Sequence, residues 1–269
     1  MNRPHEEEFY VGYMPKAPKG QGRFLMMVVL LLLLLAPLLA WQIARSQNAF
    51  GPGTFEYGVV RPYEGWVVEE PFPMLRLERP FGKTEEAFSL YTLVLFGKRN
   101  AAEMVAGLQG KKVFLEGTLI HRDDQVMIEV VSDSLKILDQ ETQPNSGPVG
   151  VEMSEVVLLG EIVDSKCFLG VMKPANLKPH KACAIRCISS GIPPVLVVRD
   201  GRDTPRYFLL ATADGKSINK DILHLVAEPV KVTGRVVTFD NLNVLYADVA
   251  DFELYTAPEP APERKELNE

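Results

Sequence analysis

All three cysteines of the chain fall in one short stretch, with a histidine among them. Cys167, His180, Cys183 and Cys187 are spaced C-x12-H-x2-C-x3-C. Three thiolates and one imidazole form a donor set that suits tetrahedral zinc, and iron is a further candidate for thiolate ligation. The Met172 thioether, if it joined them, would make the set softer and favour copper(I). Asp164 and Lys166 stand close enough in sequence to act as outer partners of such a centre. Two other chemistries use the same residues. Cys167 could pair with Cys183 or Cys187 in an oxidising compartment and staple the segment down. A Cys183–Cys187 bridge fits poorly, because side chains one helical turn apart seldom reach the required dihedral. Alternatively, one thiol could be activated for redox work by a helix N-terminus and by Lys166, Lys181 or Arg186. An odd number of cysteines leaves at least one without an intrachain partner. No C-x-x-C-H run exists for covalent haem.

These residues need a scaffold. Pro179 suits the first turn of a helix, and Gly191 followed by Pro193 suits its end. On that helix His180, Cys183 and Cys187 fall within about 60° of one another and share a face. Cys167, at the end of a preceding strand, must meet that face for four ligands to converge.

The strand belongs to the second half of an internal duplication. Leu108–Leu138 aligns without gaps to Leu225–Tyr255, placing Val113, Leu115, Gly117 and Asp123 on Val230, Val232, Gly234 and Asp240. Each copy alternates like a strand and turns, at Arg122–Gln125 and at Asp240–Asn243. A short helix is predicted before each hairpin, over Asn100–Gly110 and about Lys216–Val226. Upstream lie a strand at Tyr91–Phe96, matched to Tyr207–Thr212, and first strands at Gly65 and Gly160. The offset between copies grows from 95 to 116 residues between those strands, so copy two carries 21 extra residues there. All three cysteines lie in that insertion.

Strands, a short helix and a closing hairpin are the element order of a five-stranded OB-type barrel. The predicted fold is therefore mainly β, with two tandem OB-like barrels over 55–140 and 153–256, joined by a linker at 141–152. The second barrel carries a helical insertion over 164–194. Barrels of this kind often bind oligonucleotides, but fold does not decide function. Twenty-nine Lys plus Arg against thirty-five Asp plus Glu give a net charge of −6. That balance, without an aromatic-and-basic stripe, argues against a nucleic-acid partner.

The run Gly160-Glu-Ile-Val-Asp164, Cys167-Phe, His180-x-x-Cys183-Ala-x-x-Cys187 and Gly191-x-Pro193 resembles the signature of small exported bacterial OB-like proteins of unassigned function. Their pattern reads G-x-V-x-D-x-x-C-[YF], then H-x-x-C-A-x-x-C-x-x-x-G-x-P, and closes on L-x-G-x-x-V-x-V-x-G. The likeness covers residues 160–255, with Ile162 in place of the Val and Ala227 in place of the first closing Gly. It implies an exported home and a shared Cys/His cluster. The leader Glu8–Pro15 (EFYVGYMP) is similar to the cytoplasmic leader of some membrane respiratory-cluster proteins.

The N-terminal half of the address is written in hydropathy. Phe24–Ala44 holds twenty-one residues without a charge, enough at about 1.5 Å per residue to cross a bilayer core. Arg3, Lys16, Lys19 and Arg23 precede it, while only Arg45 follows closely. The positive-inside rule then makes 1–23 a cytoplasmic leader and 24–44 a single-pass anchor, with the C-terminal domains periplasmic. A cleaved signal peptide would have a shorter apolar run and an A-x-A-like site. Residues 257–269, rich in Pro, Glu and Ala, read as a solvated tail.

Other constellations carry less. His121, beside Arg122-Asp123-Asp124, reads as part of a solvated turn, and His224 as packing on a short helix. The acidic pairs Glu69-Glu70 and Glu85-Glu86 point to opposite faces of a strand. No phosphate loop, G-x-S-x-G or H-E-x-x-H is present, so a small-molecule substrate is not expected. The sequence expectation is a membrane-anchored accessory protein that binds a metal ion or small cluster, serving a membrane redox complex or its metal supply. A structural docking subunit with a disulfide staple, and a thiol-redox protein, are the alternatives.

Overall fold

The computed structural model describes residues 19–48, 53–78, 88–142, 150–201 and 204–256. Residues 1–18 of the leader, Glu85-Glu86, most of the linker and the tail lie outside the described residues. Helix α1, Lys19–Asn48, forms a unit by itself. It contains the apolar run, accommodates Pro37, and leaves Leu30 through Leu35 exposed. It is long and apolar enough to cross a membrane. Near its C-terminal end the Arg45 guanidinium lies 5.1 Å from the Trp41 ring centre, a cation–π pair.

The remainder is mainly β. Its first part comprises β1 (Thr54–Phe55), β2 (Arg61–Val68), β3 (Met74–Glu78), β4 (Phe88–Leu95), β5 (Arg99–Asn100), helix α2 (Ala102–Val105), β6 (Lys111–Arg122), β7 (Gln125–Val130) and β8 (Lys136–Thr142). The second comprises β9 (Val151–Asp164), helix α3 (Leu177–Ser189), β10 (Pro194–Val198), β11 (Arg206–Ala211), β12 (Pro229–Phe239), β13 (Leu242–Tyr246) and β14 (Phe252–Leu254). Antiparallel pairs β2–β3, β3–β4, β6–β7 and β2–β6, with the parallel pair β4–β7, close the first barrel. Pairs β9–β10, β10–β11, β12–β13 and β9–β12, with parallel β11–β13, close the second. Both are five-stranded OB-like barrels.

Register shows the duplication directly. Gly65 faces Val113 across β2–β6, and Gly160 faces Val230 across β9–β12. A Cβ on Gly65 would lie 2.5 Å from the Arg76 carbonyl oxygen, and one on Gly160 would lie 2.6 Å from that of Val197. Glycine is required at each place because the next strand's backbone occupies the space. The barrel interiors are filled in parallel. Val67, Leu75, Leu93, Val113, Leu115 and Ile128 line the first, and Ile162, Leu196, Leu210, Val230, Val232 and Leu245 line the second. Asp123 and Asp240 open the two hairpin turns in the left-handed region, with φ of 53° and 47°, a conformation that short polar side chains tolerate.

Three details differ from expectation. The parallel pairs join Thr92 to Met127 and Leu209 to Val244, so Tyr91 corresponds to Phe208 rather than Tyr207. Leu75 then corresponds to Leu196, an offset of 121 against 95 at Gly65 and Gly160, and the insertion holds 26 residues rather than 21. The predicted helices shrink to Ala102–Val105 and to a single turn at Leu223–Leu225. Gly107 and Gly110, both at positive φ, follow α2 closely. His224 on the second turn is exposed rather than packed.

The barrels share two apolar clusters. One joins Val94, Ile120 and Met127 to Val163, Phe168, Leu169, Ile192 and Tyr207. The other joins Val68, Phe72, Met74 and Leu90 to Leu209, Ala211, Leu242 and Val244. Each barrel also docks its hairpin tip on the other. The Arg76 guanidinium donates to both Asp240 carboxylate oxygens, at 2.8 and 3.2 Å, and Leu90 N–H donates to Asn241 Oδ1 at 2.7 Å. Reciprocally, Tyr207 Oη donates to the Asp123 carboxylate. The Asp123-Asp124 turn is thus exposed as expected, but its flanks are not solvated. Arg122 is buried and stacks 4.0 Å from the Phe168 ring centre.

Candidate metal centre

The insertion leaves the first barrel strand at Asp164 and returns at Pro194. Its first element is a wide helical turn, Cys167–Val171, whose start is fixed by the Asp164 carboxylate. Asp164 Oδ1 accepts the Cys167 N–H at 2.8 Å. Helix α3 then begins with Pro179 in its first turn and stops before Gly191, which has a φ of 95°. Asn219 secures its end by donating through Nδ2 to the carbonyls of Ile188 and Ile192, at 2.7 and 2.9 Å. The helix sits astride two cores. Ala184 and Ile188 enter the second barrel's interior, and Cys187 enters the cluster between barrels.

This geometry brings the predicted residues together. Ligand atoms of Cys167, His180 and Cys183 lie within 4.8 Å of one another, and so do those of Asp164, Cys167 and Cys187. All three cysteines are free thiols, so the staple is not formed. Cys167, Cys187 and His180 are buried, while Cys183 is half-buried at the lip. Asp164, fully buried, accepts from His180 Nε2 at 2.9 Å through its second oxygen. That leaves the other ring nitrogen as the lone-pair donor. Met172 Sδ lies 3.8 Å from Cys183 Sγ.

Of the lysines weighed from sequence, none reaches the sulfurs through a hydrogen bond. Lys166 is buried and turns to the first barrel, donating to Leu95 O and Gly97 O at 2.8 Å each and pairing with Glu129. Lys181 pairs with Glu228 instead. The cation that serves the thiols is Lys98, on the turn after β4 of the first barrel. Its ammonium donates to Cys183 Sγ at 2.9 Å and to Cys187 Sγ at 3.3 Å. Nothing local in the sequence marks Lys98, since the contact spans eighty-five residues and depends on how the barrels dock.

Electrostatics within the cluster are uneven. A hydrogen bond from Cys167 draws Cys187 down from the usual 9.0 to about 7, with help from Lys98 and against burial and the Asp164 charge. Donating that bond, together with burial and Asp164, pushes Cys167 far up. The two thiols share one readily lost proton, a property of the pair. The hydrogen bond to Cys183 raises Lys98 and keeps it an ammonium.

No family model and no curated protein matches the chain. One solved structure, a deletion mutant of the single-stranded DNA binding protein from Thermus aquaticus, aligns with 79% of this chain and 91% of its own. Identity is 16% and the TM-score 0.23, a likeness that carries no argument about partners.

Proposed function

We propose that this protein is a membrane-anchored, exported metal-binding accessory protein. Cys167, His180, Cys183 and Cys187 hold the ion, zinc, copper or iron, and Asp164 orients the imidazole. The observation that carries this reading is the convergence of buried Cys167 and His180 with Cys183 inside 4.8 Å, with no disulfide among them. Thiolate and imidazole donors held this close suit a thiophilic cation. A carboxylate on the ligand histidine is the usual partner in such centres.

On this reading α1 tethers the chain with its N-terminus cytoplasmic, as the basic residues ahead of the apolar run favour. The barrels then lie on the periplasmic side, where the centre serves a membrane redox complex or its metal supply. Elemental analysis of the full chain, purified in detergent under reducing conditions, tests the core of the proposal. Near-stoichiometric metal, lost in Cys183→Ser, is expected. Metal-free protein with its thiols oxidised would overturn it. A second reading, thiol redox chemistry, draws on the Lys98 contact and the low-lying Cys187. It requires rapid alkylation of one thiol near neutral pH in metal-free protein.

A further inference from the structure

The geometry points to copper(I) as the ion, with Met172 as one of its ligands; this rests on the metal-binding reading above and names its cargo. Two sulfurs that each lie about 2.3 Å from one ion at a tetrahedral angle are about 3.8 Å apart. Met172 Sδ and Cys183 Sγ are 3.8 Å apart, so they can share an ion without rearrangement. The backbone ties Met172 to Cys167. Met172 closes the same wide turn that begins at Cys167, its N–H donating to Cys167 O at 3.3 Å.

A thioether separates the candidate metals better than a thiolate does. It is a neutral, soft donor that selects copper(I), whereas zinc sites are built from thiolate, imidazole and carboxylate. Met172 is 44% exposed, so its thioether is open to an incoming ion. The Lys98 ammonium sits 2.9 Å from Cys183 Sγ and 3.3 Å from Cys187 Sγ, where it offsets part of the charge of the thiolates. Burial divides the donors as a transfer site requires. Cys167, Cys187 and His180 lie inside, while Cys183 and Met172 form an accessible sulfur lip through which the ion enters and leaves.

The test uses the full chain in detergent, reduced and oxygen-free, titrated against a chromogenic copper(I) chelator and separately against a chromogenic zinc chelator. Met172→Leu, an exposed substitution, is expected to weaken copper(I) binding by about tenfold or more while zinc affinity stays within about twofold. Copper X-ray absorption should lose one sulfur neighbour in the variant. Equal weakening of both ions, or unchanged copper(I) affinity, overturns the assignment of Met172 and of copper. Wild-type chain that binds neither ion, and carries no iron by elemental analysis, overturns the metal-binding reading itself.

Discussion

The Lys98 ammonium of the first barrel lies 2.9 Å from the Cys183 sulfur of the second. The copy that lacks cysteines therefore supplies the positive charge that the cysteine-bearing copy needs. Lys166 makes the arrangement reciprocal, since it leaves the insertion to bind the carbonyls of Leu95 and Gly97, next to Lys98. Gly191 meets the strand just after that turn, where a Cβ would lie 2.2 Å from the Asn100 side chain. The candidate ligands all come from the second barrel's insertion, and the first barrel adds the ammonium.

The first consequence is electrostatic. In metal-free protein, Cys187 should ionise with a midpoint of about 7 while Cys167 stays protonated well beyond the usual thiol range. Lys98 favours the Cys187 anion, so Lys98→Met should move that midpoint upward. Just above pH 7 the wild-type chain then carries more thiolate than the variant does, because the Cys167 hydrogen bond remains but the Lys98 contribution is gone. Thiolate ultraviolet absorbance against pH, with Cys187→Ser subtracted, measures this without requiring access to a buried group. A midpoint unmoved by Lys98→Met would show that the ammonium does not act on this pair.

Lys166 gives a stability prediction. Its side chain is 4% exposed and is paired with Glu129, which is 13% exposed. Removing one partner of a buried pair leaves the other charge uncompensated and costs about 3–5 kcal/mol. Lys166→Met should lower the urea midpoint of the barrels accordingly, followed by Trp66 fluorescence in the full chain. Lys181→Met should leave that midpoint nearly unchanged, because Lys181 is itself partly exposed and Glu228 keeps its second cation, Lys178.

Much of this scaffold was legible in the sequence because it rests on local periodicity and repetition. The pairing of Val113 with Val230 and of Gly65 with Gly160 could be read as an alignment, and strand register reproduces both. His180, Cys183 and Cys187 share a face because helical spacing alone dictates it. What could not be read depends on contacts between barrels. Lys166 is a sequence neighbour of the thiols, yet the other barrel offers it Glu129 and two carbonyls instead. The one-residue error at Tyr207 arose because adjacent aromatic residues, Tyr207 and Phe208, both suit a strand. The helix at Asn100 ended early because Gly107 and Gly110 break it, whichever propensity precedes them.

The paired glycines supply a further test. Gly65→Ala and Gly160→Ala should each cost about 1–3 kcal/mol, as overpacking against a fixed carbonyl usually does. Gly20→Ala, where a Cβ would meet nothing within 4 Å, adds no such clash and should cost nothing. Unequal losses at Gly65 and Gly160 would show that the two copies no longer tolerate strain alike.

Asp164 yields the sharpest prediction, because two of its effects oppose each other. Its carboxylate accepts from His180 Nε2 and from Cys167 N–H. In Asp164→Asn one amide oxygen can still accept from Cys167, but the NH2 group must donate to Nε2. The imidazole proton then moves to the other ring nitrogen, which loses the lone pair a metal needs. Metal affinity should fall by about 10–100-fold, the usual cost of losing such a partner. The same substitution removes a negative charge that raises both Cys167 and Cys187. In the metal-free variant Cys187 should therefore ionise below its wild-type midpoint of about 7. A variant that was merely loosened would show the reverse, since losing the Cys167 and Lys98 contacts returns Cys187 toward 9.0. Weaker metal binding together with easier thiolate formation is therefore the outcome that separates the loss of the Asp164 carboxylate from a merely loosened site.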